Sequence, residues 1–520
     1  MPLRMGRYFM SAKYFGAIMI NVSGIQLSIV DLKTLKSLEN VKKSINLGDY
    51  IYHDQPVTYE TMLDISKAVG GFVQVLNDYG VSDYQFYGSH AVSQAVNVDF
   101  IADQLFIHTG LRIQWLSISE ETFYRNQEIL VRAKRKKISL EGSVYMIAIT
   151  SGVTTLTKFQ DGEFQFSSSF ALGPIRIAED LESLRQSSPN SIGILNDYID
   201  SKLSDFIEDQ PKANEKSRVV LMGTVPLKVL VDKYINRESN GMLSADEFNH
   251  LEDNVLDFSN QYLIEKYHIE ESYVPLVLPE LLLIKRLLEL VNAGKIRLLD
   301  EGIINGVVID HSVKEGFLKQ NFDNQIVTTA LNMAEHYQVN NEHQALVTKF
   351  ALHLFDQMKS LHQLGNRDRL ELEVASILHD VGDYIDVHNH YLHSDYIIKH
   401  SDILGFSNNE REIVAAITRY HSSTTPSDDL SHFRKESLEN RRTIAKLASI
   451  LRMADALDDD RQQKIERISV SVKKKTVVIT AFSNSNLAFE NWVFNSKSRF
   501  FEETYGLKPV LKQRRFTKNG

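Results

Sequence analysis

The spacing of apolar and polar positions along the chain changes character twice. "FGAIMINV" is a continuous apolar run of strand length, "SG" a turn, and "IQLSIVDL" an outgoing strand. The segment "ETMLDISKAVGGFVQVLNDYG", from Glu60, has apolar residues at helical spacing and a stop at Gly80. A strand at "VSDYQFYGS", a helix at "HAVSQAVNVDFIADQLFIHTG" and a strand at "LRIQWLSI" follow. This alternation predicts an α/β sheet. Near residue 140 the pattern restarts: "MIAITSGVTTLTKF" repeats the buried strand, small polar turn and outgoing strand of "AIMINVSGIQLSIV". A second α/β domain is therefore expected there. From about residue 180 to 300 the pattern is mostly helical, with one strand at "SRVVLMG", and "KIRLLDEGIINGVVID" reads as a last strand and its turn. Residues 325–465 read as nearly all helix. After them, "ERISVSVKKKTVVITAF" is a hairpin candidate and "NWVFNSKSRFFEETYG" a helix.

Composition narrows the class. A chain of 520 residues exceeds a single core, so at least two domains are expected. The apolar fraction of 43% and charged fraction of 24% are those of a globular protein. With 58 Lys+Arg against 67 Asp+Glu, the net charge of −9 argues against wholesale coating of nucleic acid. There is no cysteine, which excludes disulfides and thiolate metal sites and fits a cytoplasmic setting. No apolar run is long enough to span a bilayer. The start, "MPLRMGRYFMSAKYFGAIMINV", has some features of a leader peptide, but its continuation into "SGIQLSIVDL" favours a folded first hairpin.

The chemistry-bearing residues concentrate in the helical third. His343, the pair His379–Asp380 in "SILHDVGDYI", His393, His421 and Asp455 all fall in helical context. Imidazole and carboxylate together suit Mn, Fe, Zn or Mg. Six converging groups can hold one ion, or two ions sharing a water, and such ions supply a nucleophile near neutral pH and stabilise phosphoryl transfer. A bare His-Asp pair is as well explained as a helix end, and it is the ordered set that carries weight. That order, His, His-Asp, His, His, Asp, resembles the HD superfamily of metal-dependent phosphohydrolases. His388 and His390 read as surface or supporting residues, and His336, His353 and His400 as ordinary helix histidines.

The resemblance extends along the whole chain to another family. "GSHAVSQAVNVDFIADQL", "LSISEETFYRNQEIL", "FALGPIRIAEDL", "VLPELLLIKRLLELV", "LLDEGIINGVV", "HSDYIIKHSDILGFSNNEREIVAAITRYH" and "ENWVFNSKSRFFEETYGLKP" are similar to segments of the exopolyphosphatase and guanosine pentaphosphate phosphohydrolase (Ppx/GppA) family. The resemblance implies an α/β plus all-α fold. Actin-like domains would occupy residues 1–138 and 139–312, an HD-like helical domain 325–465, and a small α+β tail 466–520. It implies release of terminal phosphate from polyphosphate or a phosphorylated guanosine nucleotide, a divalent metal (Mg or Mn, with Fe or Zn at the HD-like site), and a homodimer with no membrane or specific nucleic-acid partner.

The phosphate loops of that family are altered here. Its first loop usually reads Asp-x-Gly-Ser-Asn-Ser, and this chain has Met19 for the Asp and Asn21 for the first Gly. Its second usually reads Asp-x-Gly-Gly-Gly-Ser-Thr-Glu. Here Ala148 replaces the Asp and Thr155 the Glu, while Gly152 and Thr154 remain as substrate-binding candidates. A phosphate-contacting Arg corresponds to Ser93, and the catalytic glutamate corresponds to Glu121, with Glu120 beside it. Glycines let backbone N–H groups close on phosphate oxygens, and alanine cannot replace an aspartate at a metal or water. Three readings follow: an exopolyphosphatase-like hydrolase working through Glu121, an HD-type hydrolase acting on a nucleotide, or a non-catalytic polyphosphate- or alarmone-binding regulator. The basic runs "RAKRKK" (132–137), "KKK" (473–475) and "KQRR" (512–515) are candidate polyanion contacts.

Overall fold

The structure is a computed structural model, and it describes residues 13–516 apart from 53, 137–138, 151, 186–189, 210–214, 235–241, 257, 300–301 and 423–428. The leader-like first twelve residues and Lys137 of the first basic run therefore lie outside the described residues. The chain forms two compact units, one ending at Asn321 and the other starting at Phe322.

The first unit holds two sheets of one topology. Strands β1 (Tyr14–Asn21), β2 (Gly24–Asp31) and β3 (Lys36–Ser44) form an antiparallel meander, and β4 (Tyr84–Gly88) and β5 (Ile113–Trp115) add in parallel, in the order β3-β2-β1-β4-β5. In the second sheet β6 (Ser143–Ile149), β7 (Thr154–Gln160) and β8 (Glu163–Phe170) repeat the meander. Strand β9 (Ser217–Met222) lies parallel to β6, and β11 (Ala293–Leu298) parallel to β9. The short β10 (Met242–Ser244) adds an antiparallel edge, giving β10-β11-β9-β6-β7-β8. The repetition seen in the sequence is thus a repetition of topology, and the fold is the duplicated actin-like α/β pair. Strands β1 and β6 are central in their sheets and buried along nearly their whole length. That is why both read as unbroken apolar runs.

Two segments differ from their sequence readings, and the first, "HAVSQAVNVDFIADQLFIHTG", is broken into the helices His90–Ser93 and Val98–Thr109. The second, "GIINGVVID", belongs to the helix Ile303–Lys314, and the strand of that region ends at Leu298. Ile303, Ile304, Val307, Val308 and Ile309 are all buried. A β-branched run apolar on every side shows no period, so pattern alone cannot separate it from a strand. The same helix packs on the helix Ile118–Lys136, and a Cβ on Gly306 would lie 2.1 Å from the carbonyl oxygen of Tyr124. The two backbones meet where only glycine leaves room.

The second unit is a set of helices with a small sheet. The long ones are Asp323–His336, Asn341–Gln357, Asn366–Leu378, His390–Lys399, Asn408–Arg419 and Leu438–Asp455. Strands β12 (Arg467–Val472) and β13 (Thr476–Phe482) form the expected hairpin, and β14 (Lys508–Arg514) extends it in parallel. Most of "KQRR" therefore lies on an edge strand, where charged side chains discourage further pairing. The helix Ala488–Tyr505 joins this tail to the Leu438–Asp455 helix.

Candidate functional site

Two groups of residues bear the candidate chemistry, one in each unit. In the first unit, Ser117 and Glu120 form a reciprocal cap at the start of the Ile118–Lys136 helix. The Ser117 N–H donates to Glu120 Oε2 at 2.8 Å, and the Glu120 N–H donates to Ser117 Oγ at 3.2 Å. Glu121 is thereby turned elsewhere. Its Oε1 accepts the His90 N–H at 2.7 Å, and its Oε2 pairs with Arg125 Nη2 at 3.1 Å. Both members of that ion pair are buried. Of two adjacent glutamates, one is a structural cap and the other, Glu121, sits beside the amide that opens the short helix His90–Ser93.

The positions that the resemblance sets against the family's phosphate loops are largely occupied as core. Met19, Ala148 and Thr155 are buried, and Ala148 and Thr155 face each other across β6 and β7. The Thr155 hydroxyl finds no hydrogen-bond partner among the described residues. Thr154 is buried and its hydroxyl donates to the Leu172 carbonyl at 2.7 Å. It is engaged by the protein's own backbone. Gly152 has open space where a Cβ would stand. Asn21 Oδ1 accepts the Ser23 N–H at 2.9 Å, closing the first turn on itself. The Ser93 hydroxyl donates to the His90 carbonyl at 2.7 Å.

In the second unit the helix ends converge. Asn340 caps the Asn341–Gln357 helix through the His343 N–H, which places His343 in its first turn. His379–Asp380 follow the Asn366–Leu378 helix, and Asp455 ends the Leu438–Asp455 helix. A Cβ on Gly382 would lie 2.0 Å from the His390 carbonyl oxygen. That close approach seats the His390–Lys399 helix against the His-Asp turn. The Ser394 hydroxyl ties the two, donating to the His379 carbonyl at 2.7 Å and accepting the Gly382 N–H at 3.0 Å.

Four imidazoles point the same edge inward. The Nδ1 atoms lie against acceptors: the Ser376 carbonyl for His379 at 2.8 Å, the Val387 carbonyl for His390 at 3.0 Å, the Thr418 carbonyl for His421 at 2.5 Å and Asp458 Oδ2 for His343 at 2.9 Å. In a neutral imidazole an acceptor at Nδ1 takes the N–H and leaves Nε2 as a lone pair, while His343, which its carboxylates hold protonated, would give up its Nε2 proton when a cation binds. The Nε2 atoms face Asp380. Oδ2 lies 3.6 Å from His343 and 3.4 Å from His379, while Oδ1 lies 3.6 Å from His390 and 3.7 Å from His421. Asp455 Oδ1 adds a contact to His343 Nε2 at 3.5 Å. Two groups of donors, His343/His379/Asp380 and Asp380/His390/His421, each lie within 4.8 Å and share one carboxylate. Buried nitrogen and oxygen lone pairs converging in this way fit a divalent cation.

His390 thus stands where the sequence reading had His393. His393 is three residues further along the same helix and is in neither group. The sequence reading also missed Asp458, which anchors His343, and two cations at the rim. Lys497 Nζ reaches Asp455 at 2.6 Å and Asp459 at 2.7 Å, and Arg461 Nη2 reaches Asp380 at 2.8 Å and Asp383 at 2.7 Å. The electrostatics follow from burial and charge. Burial alone would lower His343, but Asp455, Asp458 and Asp380 outweigh it and raise it to about 10. Burial, with His421 and His343 nearby, lowers His379 to about 4. Asp380 is held well below the usual carboxylate range, because His379 and His421 outweigh its burial.

Comparison with known sequences places both units. The model of the Ppx/GppA phosphatase family matches residues 27–315, more than half of the chain. The chain belongs to the Ppx/GppA phosphatase family. The model of Ppx/GppA phosphatase domain III matches residues 327–499, which contain the whole His/Asp group. A guanosine-5'-triphosphate,3'-diphosphate pyrophosphatase of Photobacterium profundum is 20% identical over 466 residues, covering 86% of this chain and 87% of that protein. The protein of the same name from Pseudoalteromonas atlantica is 26% identical over 176 residues, 34% of this chain and 32% of that one. Among solved structures, the Aquifex aeolicus Ppx/GppA family member is 14% identical with a TM-score of 0.49, covering 58% of this chain and 98% of that chain. An exopolyphosphatase from Cytophaga hutchinsonii is 17% identical with a TM-score of 0.47 over the same shares.

Proposed function

We propose that this protein is a Ppx/GppA-type phosphohydrolase that releases terminal phosphate from polyphosphate or from a guanosine polyphosphate such as guanosine pentaphosphate. The observation that carries this reading is the family match across the first unit, and Glu121 is the residue whose segment resembles the one that carries the family's catalytic glutamate. In the proposed reaction, water attacks the terminal phosphorus, the bridging P–O bond breaks, and the shortened chain leaves with the electron pair. Glu121 is the group to accept the proton of that water. Each carboxylate oxygen has two lone-pair sites. His90 takes one on Oε1 and Arg125 one on Oε2, which orients the carboxylate and leaves it a site for water. A divalent metal, a homodimeric state and a cytoplasmic location belong to the same proposal, carried over from the resemblance.

A second reading is favoured by the inward-facing imidazoles: a metal-dependent HD-type phosphohydrolase site in the second unit. His343, His379, Asp380, Asp455, His390 and His421 would hold one or two divalent ions. A bound ion there would supply Lewis-acid charge for phosphoryl oxygens and acidify a coordinated water. The protein's own part is to fix the imidazole tautomers through Ser376, Val387, Thr418 and Asp458.

Phosphate release from polyphosphate, guanosine pentaphosphate and a nucleotide panel, with Mg or Mn, separates the two. We expect Glu121→Gln to lower release by roughly 10²–10⁴-fold, the usual contribution of a positioned base. Release that survives Glu121→Gln and is lost in Asp380→Ala would transfer the activity to the second unit. No release by folded wild type would overturn both readings in favour of a binding protein.

A further inference from the structure

Among the described residues, the His/Asp group of the second unit has an exposed cation at its rim. Arg461 donates through one nitrogen to Asp380 Oδ2 and to Asp383, and its side chain is 40% exposed, against 6% for Asp380 and 2% for His343. Lys497 is different. Its side chain is 15% exposed and its ammonium sits between Asp455 and Asp459.

We infer that Arg461 recognises the phosphate of the ligand at this site, exchanging its bond to Asp380 for one to a phosphate oxygen when a divalent ion takes that carboxylate. The inference rests on the metal reading proposed above. Asp380 Oδ2 lies 2.8 Å from Arg461, 3.4 Å from His379 and 3.6 Å from His343. An ion held by those two imidazoles and Oδ2 would put its charge against the guanidinium, and the two cations would repel. Asp383, outside both donor groups, is a second anchor that keeps the displaced arginine at the rim. A planar guanidinium is well matched to phosphate oxygens, and an oxyanion on the ion is the counter-charge that relieves the repulsion.

The backbone supplies an independent observation. Arg461 and Gln463 have φ of +56° and +47°, a left-handed conformation that costs energy for residues other than glycine. Asp458 maintains it: its carbonyl accepts the Arg461 N–H at 2.8 Å, and its Oδ1 accepts the Gln463 N–H at 2.7 Å. Its other oxygen holds His343 Nδ1. The residue that aims a ligating imidazole therefore also aims the arginine loop.

The test uses the full chain, Mn²⁺ and inorganic phosphate. Bound Mn²⁺ is measured by equilibrium dialysis with elemental analysis, and phosphate binding to the Mn-loaded protein by calorimetry. We expect Arg461→Gln to bind Mn²⁺ as tightly as wild type or more tightly, since a competing cation has left Asp380, and to bind phosphate at least about tenfold more weakly. Arg461→Lys, which keeps the charge but loses the fork, should fall between, and it carries the test if the glutamine variant fails to fold. Unchanged phosphate affinity in both variants at full Mn²⁺ occupancy would overturn the inference and leave the metal reading standing. Weaker Mn²⁺ binding in both would make Arg461 a brace for the loop and also overturn it. Wild type that binds no Mn²⁺, or binds it equally in Asp380→Ala, would overturn the metal reading and the inference together.

Discussion

At the scale of single residues, Glu280 tests how the first unit tolerates a buried acid. It lies in the Val274–Leu290 helix, where burial pushes its carboxyl up to about 7 from an ordinary 4.5, against the pull of the Thr224 N–H and hydroxyl. Between those two values the unfolded chain has lost the proton that the folded chain keeps. Stability therefore falls as pH rises from about 4.5 to about 7 and levels off above, by up to ~3 kcal/mol. Glu280→Gln removes the titrating group and still offers an acceptor and a donor to Thr224. We expect it to be more stable than wild type by roughly 1–3 kcal/mol near pH 8, with the difference shrinking toward pH 4.5. Urea midpoints across that range would measure it, and a constant difference would show that the carboxyl is not the cause. Residues also mark where the sequence stopped being readable. The ordered positions His343, His379, Asp380, His421 and Asp455 stood out by type and spacing, and the structure brings them together. His390 did not stand out from His388 and His393, because "HNHYLH" has three histidines and no signal for which one meets Asp380. That is settled by the close fit at Gly382, a tertiary contact. Asp458 and Arg461 fall in a loop, where no periodicity points to a face.

At the scale of elements, the informative contact is between the helices Ile118–Lys136 and Ile303–Lys314. The first carries Glu121 and buries a row of polar side chains that includes Arg125 and Gln127. Gln127 reaches Asp310 on the second helix at 3.1 Å. A buried polar face is sensitive to spacing, since each of its groups needs a partner at hydrogen-bond length. Gly306 sets that spacing. Gly306→Ala puts a methyl group against the Tyr124 backbone, which cannot swing aside as a side chain would. We expect a loss of about 1–3 kcal/mol, as for other overpacked sites, read as a lower urea midpoint at unchanged slope. Phosphate release through Glu121 should fall with it, because the helix that positions the carboxylate is displaced. A variant as stable and as active as wild type would show that the two helices can part without consequence. The sequence hid this contact, since an apolar run containing a glycine reads as well for a strand and turn as for a helix.

At the scale of the whole molecule, two compact units carry two different candidate chemistries, and the chain should report on them separately. A protein of this construction need not unfold in one step. Each unit has its own set of buried residues, around β1 and β6 in the first and around the Asn366–Leu378 and Leu438–Asp455 helices in the second. A ligand that binds one folded unit stabilises that unit by RT ln(1 + [L]/Kd), about 2.7 kcal/mol at a hundredfold excess over Kd. Differential scanning calorimetry of the full chain, with Mn²⁺ or with a chelator, then becomes a map of where the metal acts. We expect Mn²⁺ to raise one transition and leave the other in place. Asp380→Ala should abolish that shift, while Glu121→Gln should preserve it. A shift that survives Asp380→Ala would put the metal elsewhere. A shift lost in Glu121→Gln would mean that the carboxylate beside His90 holds the ion, and that the neutral residues at Met19 and Ala148 do not prevent the first unit from binding metal.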